Sequence, residues 1–253
     1  MGKRVLITAG GSGIGRAMAE AFHKAEARVW VVDIDADALA SCPPTWEREQ
    51  LDVCDEAAVE ALFARLRAAW GGLDTLCANA GIAGPTAPIE TIEVADWRHC
   101  LAVNLEGPFL FAKHATPLMK AQRSGAIILT SSTAGIFGYP NRAPYSASKW
   151  AINGLMKTLA MELGPFGIRA NSICPGAVEG PRMEAVMARE AAAKGTTRDT
   201  IYRGYAGGTS MRSFVGAEDI AAMALFLASD AARLVSGQVI AVDGHTENPD
   251  PKA

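Results

Sequence analysis

The sequence lacks any long apolar run. No window approaches the roughly 18 uninterrupted apolar residues of a membrane-spanning helix. It also lacks an excess of one charge. The 24 Lys and Arg stand against 27 Asp and Glu, for a net charge of −3. A polyanion-binding surface, and with it a nucleic-acid partner, is therefore not expected. Cysteines are few and odd in number: Cys42, Cys54, Cys77, Cys100 and Cys174. No two have the spacing of a metal-ligand pair, so the pattern fits reduced thiols in a cytoplasmic protein, with no metal. The start, Met1-Gly2-Lys3-Arg4, is basic, but only Val5-Leu6-Ile7 follow before Thr8-Ala9-Gly10. That run is too short for a secretory signal, and Leu6 breaks the myristoylation pattern. There is no internal repeat and no linker-like cluster of Pro and Gly.

Of the 253 residues, 49% are apolar, enough for one sizeable core. Short apolar runs at Val5–Thr8, Arg28–Asp33, Leu73–Ala78, Ala126–Ser131, Ile168–Cys174 and Gln238–Val242 read as buried strands, with a weaker one near Glu47–Leu51. Helical periodicity fills Ile14–Ala25, Glu56–Trp70, Trp97–Gln122, Tyr145–Leu163 and Ala217–Ala228. Such alternation implies right-handed βαβ units. The expected fold is α/β: a single domain over 1–253, with a doubly wound parallel sheet of the Rossmann type. One stretch, Ala177–Arg212, breaks the rhythm. It carries Gly195, Gly204, Gly207 and Gly208 and no clear strand, and is expected to be an irregular, lid-like insert.

The first strand runs into Thr8-Ala9-Gly10-Gly11-Ser12-Gly13-Ile14-Gly15, and a helix follows. A glycine-rich turn that opens a helix lets backbone N–H groups approach a pyrophosphate at the positive end of the helix dipole. In this context Gly10, Ser12, Gly13, Ile14 and Gly15 are candidate dinucleotide contacts. Asp33 ends the second strand, 18 residues after Gly15. A carboxylate there can accept from the adenosine ribose hydroxyls and repels a 2′-phosphate. Neither Ser12 nor Ile34, the flanking positions, is a Lys or Arg. NAD is therefore expected rather than NADP.

Tyr145 and Lys149 are four apart at the start of a helical segment and share one face. An ammonium beside a phenol favours the phenolate, which suits proton exchange with an alcohol oxygen. Ser132, at the end of the fifth strand, can donate to that same oxygen.

At these residues the chain resembles a known family. Thr8-x-x-x-x-Gly13-Ile14-Gly15, Asn79-Ala80-Gly81, Asn104, Ser131-Ser132, Tyr145-x-x-x-Lys149 and Pro175-Gly176 are similar to the short-chain dehydrogenases/reductases, from Val5 to Gly244. Ser132 precedes Tyr145 by 13, as in that family. The resemblance implies a catalytic tetrad of Asn104, Ser132, Tyr145 and Lys149, with Tyr145 as general acid/base and Lys149 also on the nicotinamide ribose. It implies that Asp52-Val53 hold the adenine edge, that Asn79-Ala80-Gly81 line the cofactor, and that Pro175, Gly176 and Val178 flank the nicotinamide. It also implies a homotetramer built through the helices carrying Asn104 and Tyr145. The sequence departs from the family pattern at Ala9, Ala78 and Gly180, which stand where many members have Gly, Asn and Thr. Pro108, four after Asn104, has no N–H to give the Asn104 carbonyl. That carbonyl resembles the family's water station in a proton relay reaching Lys149.

The function expected is hydride transfer between NAD(H) and a small secondary alcohol or ketone. Asp33 argues against an NADPH-dependent ketone or 3-oxoacyl reductase. The complete tetrad argues against a non-catalytic nucleotide-binding regulatory protein. Arg142 lies three before Tyr145, where some hydroxy-acid members of the family place a basic residue. The insert holds six basic and four acidic residues, Arg182 among them. An Arg fork holds a carboxylate bidentately, so Arg142 and Arg182 are the candidate contacts for an anionic hydroxy acid.

Overall fold

The computed structural model describes residues 2–249, so residues 1 and 250–253 of the expected domain lie outside the described part. The elements follow in order as β1 (Arg4–Thr8), α1 (Gly13–Lys24), β2 (Arg28–Asp33), α2 (Ala36–Ala40), β3 (Glu47–Gln50), α3 (Glu56–Trp70), β4 (Thr75–Ala78), α4 (Val94–Leu101), α5 (Gly107–Gln122), β5 (Gly125–Thr130), α6 (Ala143–Leu163), β6 (Ile168–Pro175), α7 (Pro181–Lys194), α8 (Arg198–Gly207), α9 (Ala217–Ala228) and β7 (Val239–Val242). All seven strands run parallel, in the order β3-β2-β1-β4-β5-β6-β7. From β1 the chain winds outward through β2 and β3, then returns to β4 and winds the other way. The switch between β1 and β4 opens a crevice at the carboxyl ends of the strands, where such sheets bind ligands.

The central strands are apolar on both faces because both faces are covered. Leu6, Val32, Leu76 and Ile127 pack with α3, α5 and α6 on one side; Val5, Ile7, Val31 and Ile128 pack with α1 and α9 on the other. The edge strand β3 is instead polar, Glu-Arg-Glu-Gln, which discourages pairing with another chain. Helix ends follow local chemistry. Asp55 caps α3 by accepting from the Ala58 N–H at 3.0 Å, and Gly71 ends it at φ +69°.

Three expectations are corrected. The single helix expected over Trp97–Gln122 is broken into α4, a π turn over Ala102–Glu106, and α5. Proline at 108 cannot donate to the carbonyl at 104, and the ladder opens just there into an i→i−5 register, with Gly107 N–H on Ala102 O. Strand β5 stops at Thr130, so Ser132 does not end it; it starts a 3₁₀ turn over Thr133–Gly135. The insert is not irregular. Pro181 begins α7 and Gly195 ends it in the left-handed region; Thr197 caps α8 through the Thr200 N–H at 3.2 Å. The two helices bury Met187, Ala191 and Ile201 against Phe214. The short helix α2, capped by Asp35, is an addition to the elements read from the sequence.

Candidate active site

The glycine-rich turn lies at the switch. Gly10 N–H bonds Val32 O at 3.1 Å, and Gly11 N–H donates to Asp33 Oδ2 at 3.0 Å. Gly15 is required by packing, since a Cβ there would lie 1.9 Å from the Ala9 carbonyl oxygen. Ser12 caps α1 without a side-chain hydrogen bond, and no acidic residue stands in the first turn. The N–H groups that have no acceptor inside a helix thus lie at Ser12, Gly13 and Ile14, and nothing stands within 4 Å of where a Cβ on Gly13 would be. This arrangement fits a bound anionic group. Asp33 is buried, and its Oδ1 accepts from Asp35 N–H at 3.1 Å. Ile34 beside it is exposed. Arg16 on α1 is turned to Glu20 at 2.8 Å and to the Trp46 ring, away from any role as a phosphate clamp.

The remaining cofactor candidates lie along the same edge. Thr8 Oγ1 accepts from the N–H groups of Asn79 and Ala80 at 2.9 and 2.8 Å, and Thr130 donates to Asn79 Oδ1 at 3.1 Å. These bonds hold the loop after β4 against β1 and β5. At Gly81 a Cβ would sit 3.0 Å from Asn104 Oδ1 and 3.3 Å from Lys149 Nζ, so glycine keeps that space clear. Asp52 Oδ1 accepts from Cys54 N–H at 2.9 Å, and Val53 packs under Gly107. Pro175 ends β6, Gly176 N–H bonds Val242 O at 3.0 Å, and Val178 pairs with Val215. Gly180 has φ +136°, a conformation a threonine rarely adopts, which accounts for glycine at that position.

The four tetrad residues converge. Asn104 is fully buried on the π turn. Its Oδ1 accepts from Ile82 N–H at 2.7 Å, and its Nδ2 donates to Ile82 O and to Ser148 Oγ, both at 3.0 Å. Ser148 in turn donates to the Tyr145 carbonyl at 2.7 Å. Lys149 Nζ donates to Thr130 O at 2.8 Å and lies 5.7 Å from the centre of the Tyr145 ring. The Ser132 hydroxyl accepts from Ala134 N–H at 3.1 Å and stands near enough to the Tyr145 phenol to favour the phenolate. Burial alone would push that phenol up. Lys149, Arg182 and Arg142, with the nearby Ser132 hydroxyl, outweigh it and hold the phenol below its ordinary value. Burial pushes the Lys149 ammonium down, against the attraction of Tyr145.

Both candidate substrate residues are at this site, in different states. Arg182 is exposed at the start of α7 and donates to Gly81 O at 3.0 Å, tying the insert to the loop after β4. Arg142 is buried at the start of α6, with its guanidinium 4.7 Å from the centre of the Tyr145 ring. Its Nε has no hydrogen-bond partner. Sequence reasoning missed the other walls. Tyr139 bonds Thr133 at 2.8 Å, and burial raises its phenol to about 12. Tyr205 of α8 donates to the buried Glu190 of α7 at 2.7 Å.

A family profile described as enoyl-(acyl carrier protein) reductase matches residues 8–245. The chain belongs to the short-chain dehydrogenases/reductases. It is 37% identical over 247 residues, 94% of each chain, to cis-4-hydroxycyclohexanecarboxylate dehydrogenase of Sinomonas cyclohexanicum. It is 34% identical to levodione reductase of Leifsonia aquatica, across 95% of this chain and 92% of that one. Its fold matches NAD⁺-bound xylitol dehydrogenase with a TM-score of 0.93 at 28% identity, over 96% and 98% of the two chains. As a member of this family it is an oxidoreductase that uses a nicotinamide cofactor. Among the described residues no helix is long and apolar enough to cross a membrane.

Proposed function

We propose that this dehydrogenase/reductase is a cytoplasmic, NAD(H)-dependent homotetramer that interconverts a ring-bearing secondary hydroxy acid and its ketone. The observation that carries the substrate class is Arg142, a largely buried side chain with an unpartnered Nε, packed on the ring of Tyr145. A buried donor left unpaired is costly, and a ligand carboxylate is a group that relieves it. One relative is named for a substrate of this kind, a hydroxycyclohexanecarboxylate.

In this reading Gly10, Ser12, Gly13, Ile14 and Gly15 hold the pyrophosphate. Asp33 and Ile34 meet the adenosine ribose, and Asp52 and Val53 the adenine. Asn79, Ala80, Gly81, Pro175, Gly176 and Val178 line the nicotinamide half. The bound nicotinamide supplies the hydride acceptor for oxidation and the donor for reduction. In oxidation Tyr145 Oη takes the proton of the alcohol while Ser132 donates to the same oxygen. Lys149 keeps the phenolate favoured and holds the nicotinamide ribose. Asn104 fixes the loop at Ile82 to α6, and its carbonyl stations a water on the path to Lys149. The NAD preference is supported by Asp33, whose carboxylate would meet a 2′-phosphate uncompensated.

The test compares kcat/KM for NAD and NADP and for an acid against its neutral amide. NAD should lead by at least ~100-fold, and Asp33→Ala should narrow the gap. Arg142→Ala should raise KM on the acid by about 10- to 100-fold and leave the KM of the amide almost unchanged. Arg182→Ala tests the second candidate in the same way. A lead for NADP, or equal penalties on both substrates, sinks the corresponding part of the reading.

A further inference from the structure

The charged and titratable groups facing Tyr145 come from several elements. Lys149 lies on its own helix, Arg142 at the cap of that helix and Arg182 on α7; Tyr139 belongs to the loop before α6, and the Ser132 hydroxyl to the turn after β5. The three cations differ in how they are held. Lys149 is bonded to Thr130 O, and Arg182 to Gly81 O. Arg142 makes neither kind of bond; its Nε is orphaned and its guanidinium carbon stands over the phenol ring, 4.7 Å from the centre. A cation over an aromatic face is attracted to a phenol and more strongly to a phenolate. Arg142 therefore has two anions within reach: the phenolate formed when Tyr145 has lost its proton, and a carboxylate carried by the ligand.

We propose that Arg142 is shared between the general base and the substrate carboxylate, so that the charge of the substrate sets the proton affinity of Tyr145. With a neutral alcohol bound, Arg142 is free to stabilise the phenolate, the form that accepts the alcohol proton. With a carboxylate bound, part of that stabilisation is withdrawn and Tyr145 keeps its proton to higher pH. An anionic ketone is then met by the protonated phenol that reduction requires. Arg142 thus acts both as a specificity residue and as an electrostatic partner of the acid/base. This inference rests on the reading of Tyr145 as the proton carrier and of an anionic substrate.

The experiment uses the holoenzyme and a matched pair, a 4-hydroxycyclohexanecarboxylate and its carboxamide. The pH profile of kcat for oxidation gives an acidic limb for each. The midpoint for the acid should lie about one pH unit above that for the amide. In Arg142→Met the amide midpoint should rise and the two should merge, whereas Arg142→Lys should keep a gap. A second measurement is independent of turnover and of how the Met variant folds. Phenolate absorbance of the wild type, taken as the difference from Tyr145→Phe, is titrated with pH in the presence of NAD. Saturating cyclohexanecarboxylate, which has no alcohol to react, should move that titration to higher pH. Coincident midpoints in the wild type, a gap that survives in Arg142→Met, or a phenolate titration unmoved by the carboxylate would overturn the proposal. An amide profile with no acidic limb would instead overturn the assignment of Tyr145 itself. If the acid is not turned over, the absorbance titration alone decides.

Discussion

Ala9 holds φ +50°, in the left-handed region where a Cβ is unfavourable. It stands where many family members have glycine, and its carbonyl is pressed against Gly15. The strain of a non-glycine residue there is about 1–2 kcal/mol, partly offset by the extra freedom glycine would have when unfolded. Ala9→Gly should therefore stabilise the protein by roughly 0.5–1 kcal/mol, read as a Tm rise of about 1–3 °C; a fall in Tm would show that the turn is relaxed. In the proposed mechanism the chemistry at Tyr145 depends on one proton. Its phenol is held below the ordinary value, so phenolate is present above that lowered pKa and disappears as pH falls through it. Oxidation should rise with pH through that point and fall again at alkaline pH as Lys149, itself lowered, loses its charge. Reduction should show the mirror limb. Tyr145→Phe should cost about 10²–10⁴-fold in kcat while NADH still binds. A variant retaining more than about a tenth of wild-type kcat would remove Tyr145 from the mechanism.

Between α4 and α5 an element is shaped by what a residue lacks. The apolar periodicity of Trp97–Gln122 is continuous, so the sequence reads as one helix; Pro108 and Pro117 both signal trouble, and neither says where the ladder will widen, since α5 carries Pro117 without a break. The structure widens it into a π turn and so aims Asn104 at Ile82 and Ser148. The insert misled differently. Its glycines and modest apolar content look like a loop, because α7 and α8 are held by packing on Phe214 more than by their own pattern. The proposed tetrad rests, in contrast, on Ser132, Tyr145 and Lys149 lying within 18 residues, the last two on one helix face, and for Asn104 on the family resemblance. The groups that hold them were not legible in the sequence. The Thr130 carbonyl and the Ile82 backbone have no side-chain signature, and Ser148 reads as an ordinary helix residue. Pro108→Ala tests the π turn. It restores an N–H able to reach the Asn104 carbonyl, so the helix should tighten, Tm should hold or rise, and kcat should fall about tenfold as Asn104 turns from its partners. Unchanged kcat would mean that the turn is set by tertiary packing and not by the proline.

For the molecule as a whole, the doubly wound topology delivers the turn after β1, the loop after β4, the Ser132 turn and the start of α6 to one edge of the sheet. The opposite side of the same helices has a different character. Trp97 of α4, Phe109 of α5 and Trp150 of α6 are exposed, and Phe109 and Leu155 line a groove with Leu101 and Leu105. A largely apolar groove on adjoining helices, here with Arg98 and Glu106 also in its lining, is a common feature of a subunit interface. This is the face through which the proposed tetramer would assemble. It lies directly behind Asn104, since Ala102 of the π turn is in the groove wall. Assembly there would brace the turn that positions Asn104, which makes turnover depend on it. Phe109→Glu places a charge in the groove without touching the site. The wild type should sediment as a tetramer, and the variant as a smaller species at the same concentration. The variant's specific activity should fall on dilution while its far-ultraviolet circular dichroism stays that of a folded α/β protein. A variant that remains tetrameric would move the interface elsewhere, and one that dissociates with full activity would show that the π turn needs no bracing.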